Sequence, residues 1–265
     1  MTPAVSVRED RLHVRGTEVR MLSGGEGPAL LFLHGAGDRG EWLPVLDELA
    51  AGHTVYRPDH PGFNWSGDDE RIDSVHDLGF FYLDLLDQLE IDSVVVVGAS
   101  LGGWLAVELA MIAPHRVERL VLIDPAGIRV EGVEVPDYFL LNPQQLSEKV
   151  WREASFAEAN LQWALALADD TEAYGRYLRG RASTAHLCWN PYFHDPKLLH
   201  RLHRITCDAL VVWGSDDGLF PVDYGRRWVE LLPNASLSVI EGAGHLPHVE
   251  RLDDFMRVAS PFLAR

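Results

Sequence analysis

The feature that most constrains this chain is a serine in a glycine-rich turn between an apolar segment and a helical one. Residues 98–103 read Gly-Ala-Ser-Leu-Gly-Gly, after a valine-rich run at 94–97 and before a helix-like run at 104–110. Glycines lack Cβ, so the chain can turn sharply with the Ser100 hydroxyl pointing outward. The following helix directs free N–H groups toward the place where negative charge would develop. The motif in this setting predicts a nucleophilic serine.

Short apolar runs alternate with helical patterns along most of the chain. Strands are predicted at 11–14, 18–22, 29–33, 53–57, 94–97, 117–123, 209–213 and 236–240. Helices are predicted at 41–51, 75–89, 104–113, 222–232 and 252–262. Continuous apolar strands separated by helices are typical of a mostly parallel sheet covered on both faces, so we expect an α/β fold with an eight-stranded sheet.

The alternation stops between the sixth and seventh strands. Residues 128–205 are rich in aromatic side chains and contain no clear apolar strand, and helix-like pieces are predicted at 143–152, 156–168 and 171–180. We therefore predict a core domain at 1–127 and 206–265, with a helical cap at 128–205. Trp151, Trp163 and Trp189 are candidates to line a substrate pocket under this cap, although packing of the cap onto the core explains each of them as well.

Composition excludes several classes of function. The chain has 265 residues, 47% of them apolar, which is enough for one sizeable core. Its net charge of −17 argues against partners such as nucleic acid or an anionic membrane surface. The two cysteines do not indicate a disulfide framework or a metal site. With no export signal or membrane-spanning run in the sequence, we expect a cytoplasmic protein.

A nucleophilic serine needs a base, and the chain offers one near its end. His245 lies between small residues in a loop that follows the last predicted strand. In parallel α/β sheets, functional sites form at the carboxyl edge where such loops lie. His245 is therefore the expected base for Ser100. His248 is a weaker alternative, with a surface or capping role more in keeping with its position.

The base in turn needs an acid to orient it. Asp217 follows the seventh predicted strand and is the preferred candidate. Its neighbour Asp216 is better explained as a turn residue, and Asp124, after the sixth strand, remains a second alternative. The preferred set gives the chain order Ser100, Asp217, His245, which is one of the known orders of a Ser-His-Asp triad.

An oxyanion hole would complete this set. The backbone N–H of Leu101, directly after the serine, is one candidate donor, and that of Ala36, in the glycine-rich loop after the third strand, is the other. His34, in the same loop, is a candidate substrate-binding residue, with a structural hydrogen-bonding role as the preferred interpretation.

Together these motifs resemble those of the α/β-hydrolase superfamily, over roughly residues 10–127 and 206–265. In chain order they are His34-Gly35, Asp59-His60-Pro61-Gly62-Phe63, Gly98-Ala99-Ser100-Leu101-Gly102-Gly103, Trp213-Gly214-Ser215-Asp216-Asp217 and Gly244-His245-Leu246-Pro247-His248-Val249-Glu250. The resemblance is specific for the fold and the triad. It is poorly specific for the substrate, because one fold hosts many chemistries.

The resemblance implies a cofactor-free serine hydrolase rather than a dehalogenase or epoxide hydrolase, which carry aspartate at the position of Ser100. We expect an esterase acting on a small-molecule ester with an apolar acyl or alcohol group. The first alternative is a carbon–carbon bond hydrolase of ring-cleavage diketones. Those enzymes usually have Gly-Pro-Gly where this chain has Ala36-Gly37-Asp38, and Trp where it has Leu246. The second alternative is a ligand-binding member with vestigial turnover.

Charged residues of the cap indicate no further chemistry. Arg176, Arg179 and Arg181 are candidates to clamp a substrate carboxylate, but a solvated helix face explains them better. The spacing of the four cap histidines matches no common ligand motif, so no metal is expected.

Overall fold

The structure is a computed structural model that describes residues 5–264, so residues 1–4 and 265 of the predicted core lie outside the described part. Within that part the chain forms one eight-stranded sheet. Its strands are β1 (Arg8–Val14), β2 (Thr17–Gly24), β3 (Ala29–Leu33), β4 (Thr54–Pro58), β5 (Val94–Ala99), β6 (Val117–Ile123), β7 (Asp208–Gly214) and β8 (Ala235–Ile240). Their order is β1-β2-β4-β3-β5-β6-β7-β8.

The sheet confirms the predicted α/β fold. β1 pairs antiparallel with β2, and β2 pairs antiparallel with β4. All other neighbours are parallel. Consequently β3 and β5 to β8 all end at the same edge, and the loops that carry the predicted site residues follow from that edge.

Helices occupy the connections between these strands. They are α1 (Pro44–Ala50), α2 (Val75–Gln88), α3 (Leu101–Ile112), α4 (Pro143–Val150), α5 (Ala154–Ala166), α6 (Thr171–Cys188), α7 (Asp223–Leu231), α8 (Pro247–Glu250) and α9 (Leu252–Leu263). α6 runs eight residues past its predicted end at 180. Gly180 does not end the helix. Thr184 and Cys188, which lie beyond it, are buried, and their burial stabilises the additional turns.

Two apolar cores lie on opposite faces of the sheet. β5 shows how they are separated, because Val94 and Val96 belong to one core while Val95 and Val97 belong to the other. This is the period-two alternation of a strand buried on both sides. α2, α3 and α7 cover the first face, and α1 and α9 cover the second.

The segment predicted as a cap contains α4, α5 and α6, in the connection between β6 and β7. It is tied to the core by an isolated bridge between Gly127 and His194 and by Phe193, which is buried in the first core. The domain limits themselves stay a prediction. Across residues 5–264, no helix is both long enough and apolar enough to cross a membrane.

Candidate active site

Ser100 lies at the corner between β5 and α3. Its φ of 53° and ψ of −114° place it in a strained region that non-glycine residues rarely occupy. The surrounding chain holds this conformation, because the Ser100 N–H donates to the Ile123 carbonyl at 2.8 Å and the Ser100 carbonyl accepts from the Ala126 N–H at 3.1 Å. The predicted nucleophile therefore lies on a rigid turn at the edge of the sheet.

The motif glycines are required by close packing at this corner. A Cβ at Gly98 would overlap the carbonyl of Gly102, and a Cβ at Gly102 would overlap the carbonyl of Leu33. The helix start thus packs directly against β3 and β5, which a side chain at either position would prevent.

His245 and Asp217 are joined as predicted. The Nδ1 atom of His245 lies 2.7 Å from Oδ2 of Asp217, and both side chains are buried. The other oxygen of Asp217 accepts from the backbone N–H groups of Leu219, at 2.7 Å, and Phe220, at 3.0 Å. These bonds fix the carboxylate, which in turn fixes the Nδ1-protonated imidazole and leaves Nε2 as the free basic nitrogen.

Ser100 and His245 line the same cavity. Within the described part of the chain, no hydrogen bond joins the Ser100 hydroxyl to the His245 ring. In ligand-free sites such contacts are often long and shorten when substrate binds. The arrangement can still remove the serine proton once the two side chains close this gap.

The two alternative acids lie in different environments. Asp216 is exposed and pairs with Arg152 at 3.2 Å, away from the imidazole. Asp124 is fully buried, accepts from the Gly214 N–H at 3.0 Å, and lies with Asp217 and His245 in a cluster whose polar atoms are within 4.8 Å of one another. The structure therefore pairs His245 with Asp217 and places Asp124 behind that pair.

The surroundings of Asp124 favour its neutral form. Burial and the nearby Asp217 carboxylate raise the pKa of Asp124 well above its usual range. Its Oδ2 atom is buried and accepts no hydrogen bond from the described residues. A proton on Oδ2 can be donated toward Asp217, which avoids two unpaired negative charges in one buried site.

The two predicted oxyanion donors are both unpaired. The N–H groups of Ala36 and Leu101 donate no hydrogen bond to another group of residues 5–264. Ala36 lines the cavity beside Ser100, and Leu101 is the first residue of α3. Two free N–H groups next to a nucleophile can bind the oxyanion of a tetrahedral intermediate.

A buried ion pair holds the loop that carries Ala36. Asp38 forms a salt bridge with Arg57 and accepts from the Gly40 N–H at 2.7 Å. Burial opposes ionisation of Asp38, but the Arg57 charge outweighs it and lowers the pKa of Asp38 to about 2. The loop conformation is therefore set by charge pairing that persists at all ordinary pH values.

The His34 ring is fixed by contacts of both its nitrogens with backbone groups. Its Nε2 accepts from the His60 N–H at 3.0 Å, so its proton is on Nδ1, which lies 2.8 Å from the Gly35 carbonyl. The ring stacks on His60 at 3.7 Å, and burial lowers the pKa of His34. Although His34 lines the cavity, both ring nitrogens are engaged, so it has none left for a substrate.

The cavity above Ser100 has a volume of about 290 Å³ and is enclosed by core loops below and the α4–α6 segment above. Of the predicted pocket tryptophans, Trp151 and Trp163 line it. Trp189 does not: it is 56% exposed and packs on Phe139, so its prediction as a pocket residue is wrong. Its position at the end of α6 turns it to the outer surface.

His248 differs from its predicted surface or capping role. It is buried, lines the cavity, and lies between Phe32 and Phe255 with ring centroids 6.0 Å from each. Burial, with the nearby His245 adding to it, lowers the pKa of His248 to about 3. The side chain is therefore a neutral part of the cavity wall.

Two residues for which the sequence predicted no role, Glu250 and Arg39, belong to the site. Glu250 accepts from the Gly244 N–H at 2.5 Å, and the His245 N–H donates to the Val150 carbonyl at 2.7 Å. The His245 loop is thus tied to the end of α4.

Arg39 is the second of these residues. It follows Asp38 in the sequence and lines the cavity. Its place in the loop after β3 was the available signal.

The three cap arginines are engaged outside the cavity. Arg176 pairs with Glu172 at 2.5 Å, and Arg179 donates to the Asn64 carbonyl at 2.5 Å. Arg181 lies 4.6 Å from the centroid of the Tyr138 ring. None of the three lines the cavity, in agreement with the preferred interpretation that they do not clamp a substrate.

Known proteins resemble this chain over nearly its full length. The sequence model of a family described as alpha/beta hydrolase fold matches residues 28–252. A 2-hydroxy-6-oxo-6-phenylhexa-2,4-dienoate hydrolase from Burkholderia cepacia is 29% identical over 267 residues, covering 93% of this chain and 91% of that protein. A 2-hydroxy-6-oxononadienedioate/2-hydroxy-6-oxononatrienedioate hydrolase from Burkholderia vietnamiensis is 32% identical over 284 residues, covering 98% of this chain and 95% of that protein.

A solved structure gives the same architecture. The 2-hydroxy-6-oxo-6-phenylhexa-2,4-dienoate hydrolase from a Rhodococcus species superposes with a TM-score of 0.80 at 22% identity, covering 99% of this chain and all of that one (100%). At this identity the likeness supports the fold and carries no information about the substrate.

Proposed function

This chain belongs to the α/β-hydrolase fold family, and we propose that it hydrolyses a carbon–carbon bond next to a ketone, in a substrate of the 2-hydroxy-6-oxodienoate type. The observation that carries this choice is the match with hydrolases of such dienoates over 93% and 98% of the chain, which includes the segment above the cavity as well as the core. The ester hydrolysis expected from the sequence becomes the second candidate.

The reaction begins at the ketone carbonyl. The Ser100 hydroxyl attacks the carbonyl carbon, and Nε2 of His245 takes the hydroxyl proton. Asp217 stabilises the resulting imidazolium through its bond to Nδ1. The N–H groups of Ala36 and Leu101 bind the oxyanion that forms on the former ketone oxygen.

Carbon–carbon cleavage then needs a stabilised carbon leaving group. The substrate must first tautomerise to its diketo form, losing the C2 hydroxyl proton and gaining a proton at C5. In that form, the electron pair of the broken C5–C6 bond is delocalised through the remaining double bond toward the oxygen at C2. The His245 imidazolium returns the proton to the leaving carbon, and an acyl group remains on Ser100. His245 next removes a proton from water, which attacks the acyl group and releases a carboxylic acid together with the original serine.

The cavity suits this chemistry. Its lining is mainly aromatic and aliphatic, and His34 and His248, which face it, are neutral because burial lowers their pKa values. An apolar lining lowers the local dielectric constant, which strengthens the hydrogen bonds to the oxyanion.

Ester hydrolysis is supported by two departures from the pattern usual in carbon–carbon hydrolases. Gly37 stands where those enzymes have the proline of Gly-Pro-Gly, and Leu246 stands where they have tryptophan. An ester needs the same nucleophile, base and oxyanion donors, and its alcohol leaves with a proton from His245 without any need for conjugation.

The deciding experiment compares the two substrate classes on one preparation. Hydrolysis of 2-hydroxy-6-oxo-6-phenylhexa-2,4-dienoate is followed beside a p-nitrophenyl ester series from acetyl to palmitoyl, with wild type and Ser100→Ala. We expect the dienoate to give the higher kcat/KM and Ser100→Ala to lose nearly all turnover. Ser260→Ala, on the exposed side of α9, is the matched control and should behave as wild type.

The opposite ranking, with esters turned over and the dienoate not, would select the esterase. If a folded Ser100→Ala protein kept its activity, the serine mechanism would be wrong for both substrates. Labelling of Ser100 without steady-state turnover of either class would indicate a ligand-binding member of the family.

A further inference from the structure

One cation faces the substrate cavity. Among the described residues that line the cavity, Arg39 is the only arginine or lysine, in a chain whose net charge is −17. It lies three residues after Ala36, one of the two proposed oxyanion donors, on the same loop. Arg39 and Ser100 thus line one cavity, so a substrate bound there can contact both residues.

Arg39 is held in one position from the opposite wall. Its Nη2 donates to the side-chain oxygen of Asn160, and its guanidinium lies 3.9 Å from the centroid of the Trp163 ring. Both partners are on α5. Stacking on an aromatic face and a hydrogen bond to a neutral amide orient a guanidinium without neutralising it.

No carboxylate pairs with Arg39. Within residues 5–264, no carboxylate oxygen lies inside the 4.0 Å ion-pair distance of its guanidinium. The neighbouring Asp38 is engaged by Arg57, and Glu41, although close enough to favour the charged form of Arg39, is exposed. Partial burial lowers the pKa of Arg39, which reflects the cost of a desolvated and unpaired charge.

From these contacts we propose that Arg39 is an anion-binding subsite, which selects substrates with a carboxylate on the group that lies beneath α5. The Nε and Nη1 atoms make no hydrogen bond to residues 5–264, so they remain for the ligand. Each is a charged N–H donor, to which a carboxylate oxygen can bind. Glu41 and Asp38 line the same cavity and favour the charged form of Arg39 from beyond ion-pair distance. Such a ligand would supply the direct ion pair that residues 5–264 do not.

This inference rests on the proposed function, because it places the anion in the same cavity as Ser100. It narrows the substrate to molecules with a carboxylate at a fixed distance from the reacting carbonyl. His34 and His248 do not offer an alternative cation, since burial lowers both pKa values and keeps both rings neutral.

The test measures binding instead of turnover, so it can succeed or fail independently of the proposed reaction. Dissociation constants of 4-phenylbutanoate and its neutral amide, 4-phenylbutanamide, are measured by calorimetry with wild type, Arg39→Gln and Arg39→Lys. We expect wild type to bind the anion about ten- to a hundredfold more tightly than the amide, as for a hydrogen-bonded charge pair. Arg39→Gln should bind the two equally, and Arg39→Lys should keep part of the preference.

A purely structural Arg39, acting only as a link between the loop after β3 and α5, predicts a different pattern. Loss of that link would weaken both ligands by the same factor and lower the melting temperature, and this outcome would overturn the proposal. Equal or undetectable binding of the two ligands by wild type would also overturn it, as would an anion preference that persists in Arg39→Gln. Failure of dienoate hydrolysis alone, with the anion preference intact, would refute only the proposed reaction.

Discussion

Acid should destabilise this protein in part through one buried histidine. Burial lowers the pKa of His248 from 6.5 to about 3, and its Nδ1 atom is buried without a hydrogen-bond partner among the described residues. Below pH 6.5 the unfolded chain binds a proton at this position that the native protein does not. The contribution of His248 to stability is therefore present above pH 6.5 and is lost as the pH falls toward 3.

The size of the effect follows from the two pKa values. At pH 4.5 the unfolded imidazole lies two pH units below its pKa, while the native imidazole is still neutral. At about 1.36 kcal/mol per unit, His248 lowers the free energy of unfolding by about 2.5 kcal/mol between pH 7.5 and pH 4.5. His248→Leu replaces the ring with an apolar side chain of similar size and removes this term.

Urea unfolding of wild type and His248→Leu at pH 7.5 and pH 4.5 measures the difference. We expect the variant to lose about 2.5 kcal/mol less than wild type on acidification. Phe255→Leu is the matched control, because it disturbs the same ring contact without removing a titratable group, so its destabilisation should be equal at both pH values. Parallel pH dependence in wild type and His248→Leu would refute the assignment of a buried neutral imidazole.

Two further predictions concern the carboxylates behind the imidazole. Asp217→Asn keeps the shape but no longer stabilises the imidazolium, so kcat should fall by about 10³- to 10⁴-fold with little change in KM, and a loss below tenfold would contradict its role. Folding raises the pKa of Asp124 above that of the unfolded chain, so its contribution to stability is present below pH ~4 and is lost as the pH rises. Asp124→Asn should therefore gain stability relative to wild type between pH 4.5 and pH 7.5 in urea unfolding, whereas a constant difference would indicate an ionised Asp124.

Most of the core fold was predictable because its signals are local. The run at 94–97 is apolar at every position. This pattern is typical of a strand buried on both faces, and β5 forms there. The helix predicted at 75–89 forms at Val75–Gln88, and the Ser74 hydroxyl caps its start by accepting from the Asp77 N–H. The end of α6 was not predictable, because burial of Cys188 against other elements decides it.

The site was predictable to a different degree for each residue. Ser100 is marked by a motif whose glycines are required by packing, and His245 by its place after the last strand. The selection of Asp217 over Asp124 depends on which carboxylate reaches Nδ1 of the imidazole, and both follow strands that end at the same edge. The contact of Asp217 at 2.7 Å settles the pairing, and Asp124 is a buried neighbour whose pKa is raised.

The amino-acid sequence by itself determined the sheet, the elbow and the order of the candidate triad, because strand periodicity, glycine turns and chain order are properties of neighbouring residues. Only the tertiary structure decided what surrounds the nucleophile. Trp163 faces the cavity while Trp189 faces outward, and Arg39 is unpaired because its nearest acids are engaged or exposed. Such charge pairing and burial depend on contacts between segments more than a hundred residues apart, such as Arg39 and Asn160, and no local pattern encodes them.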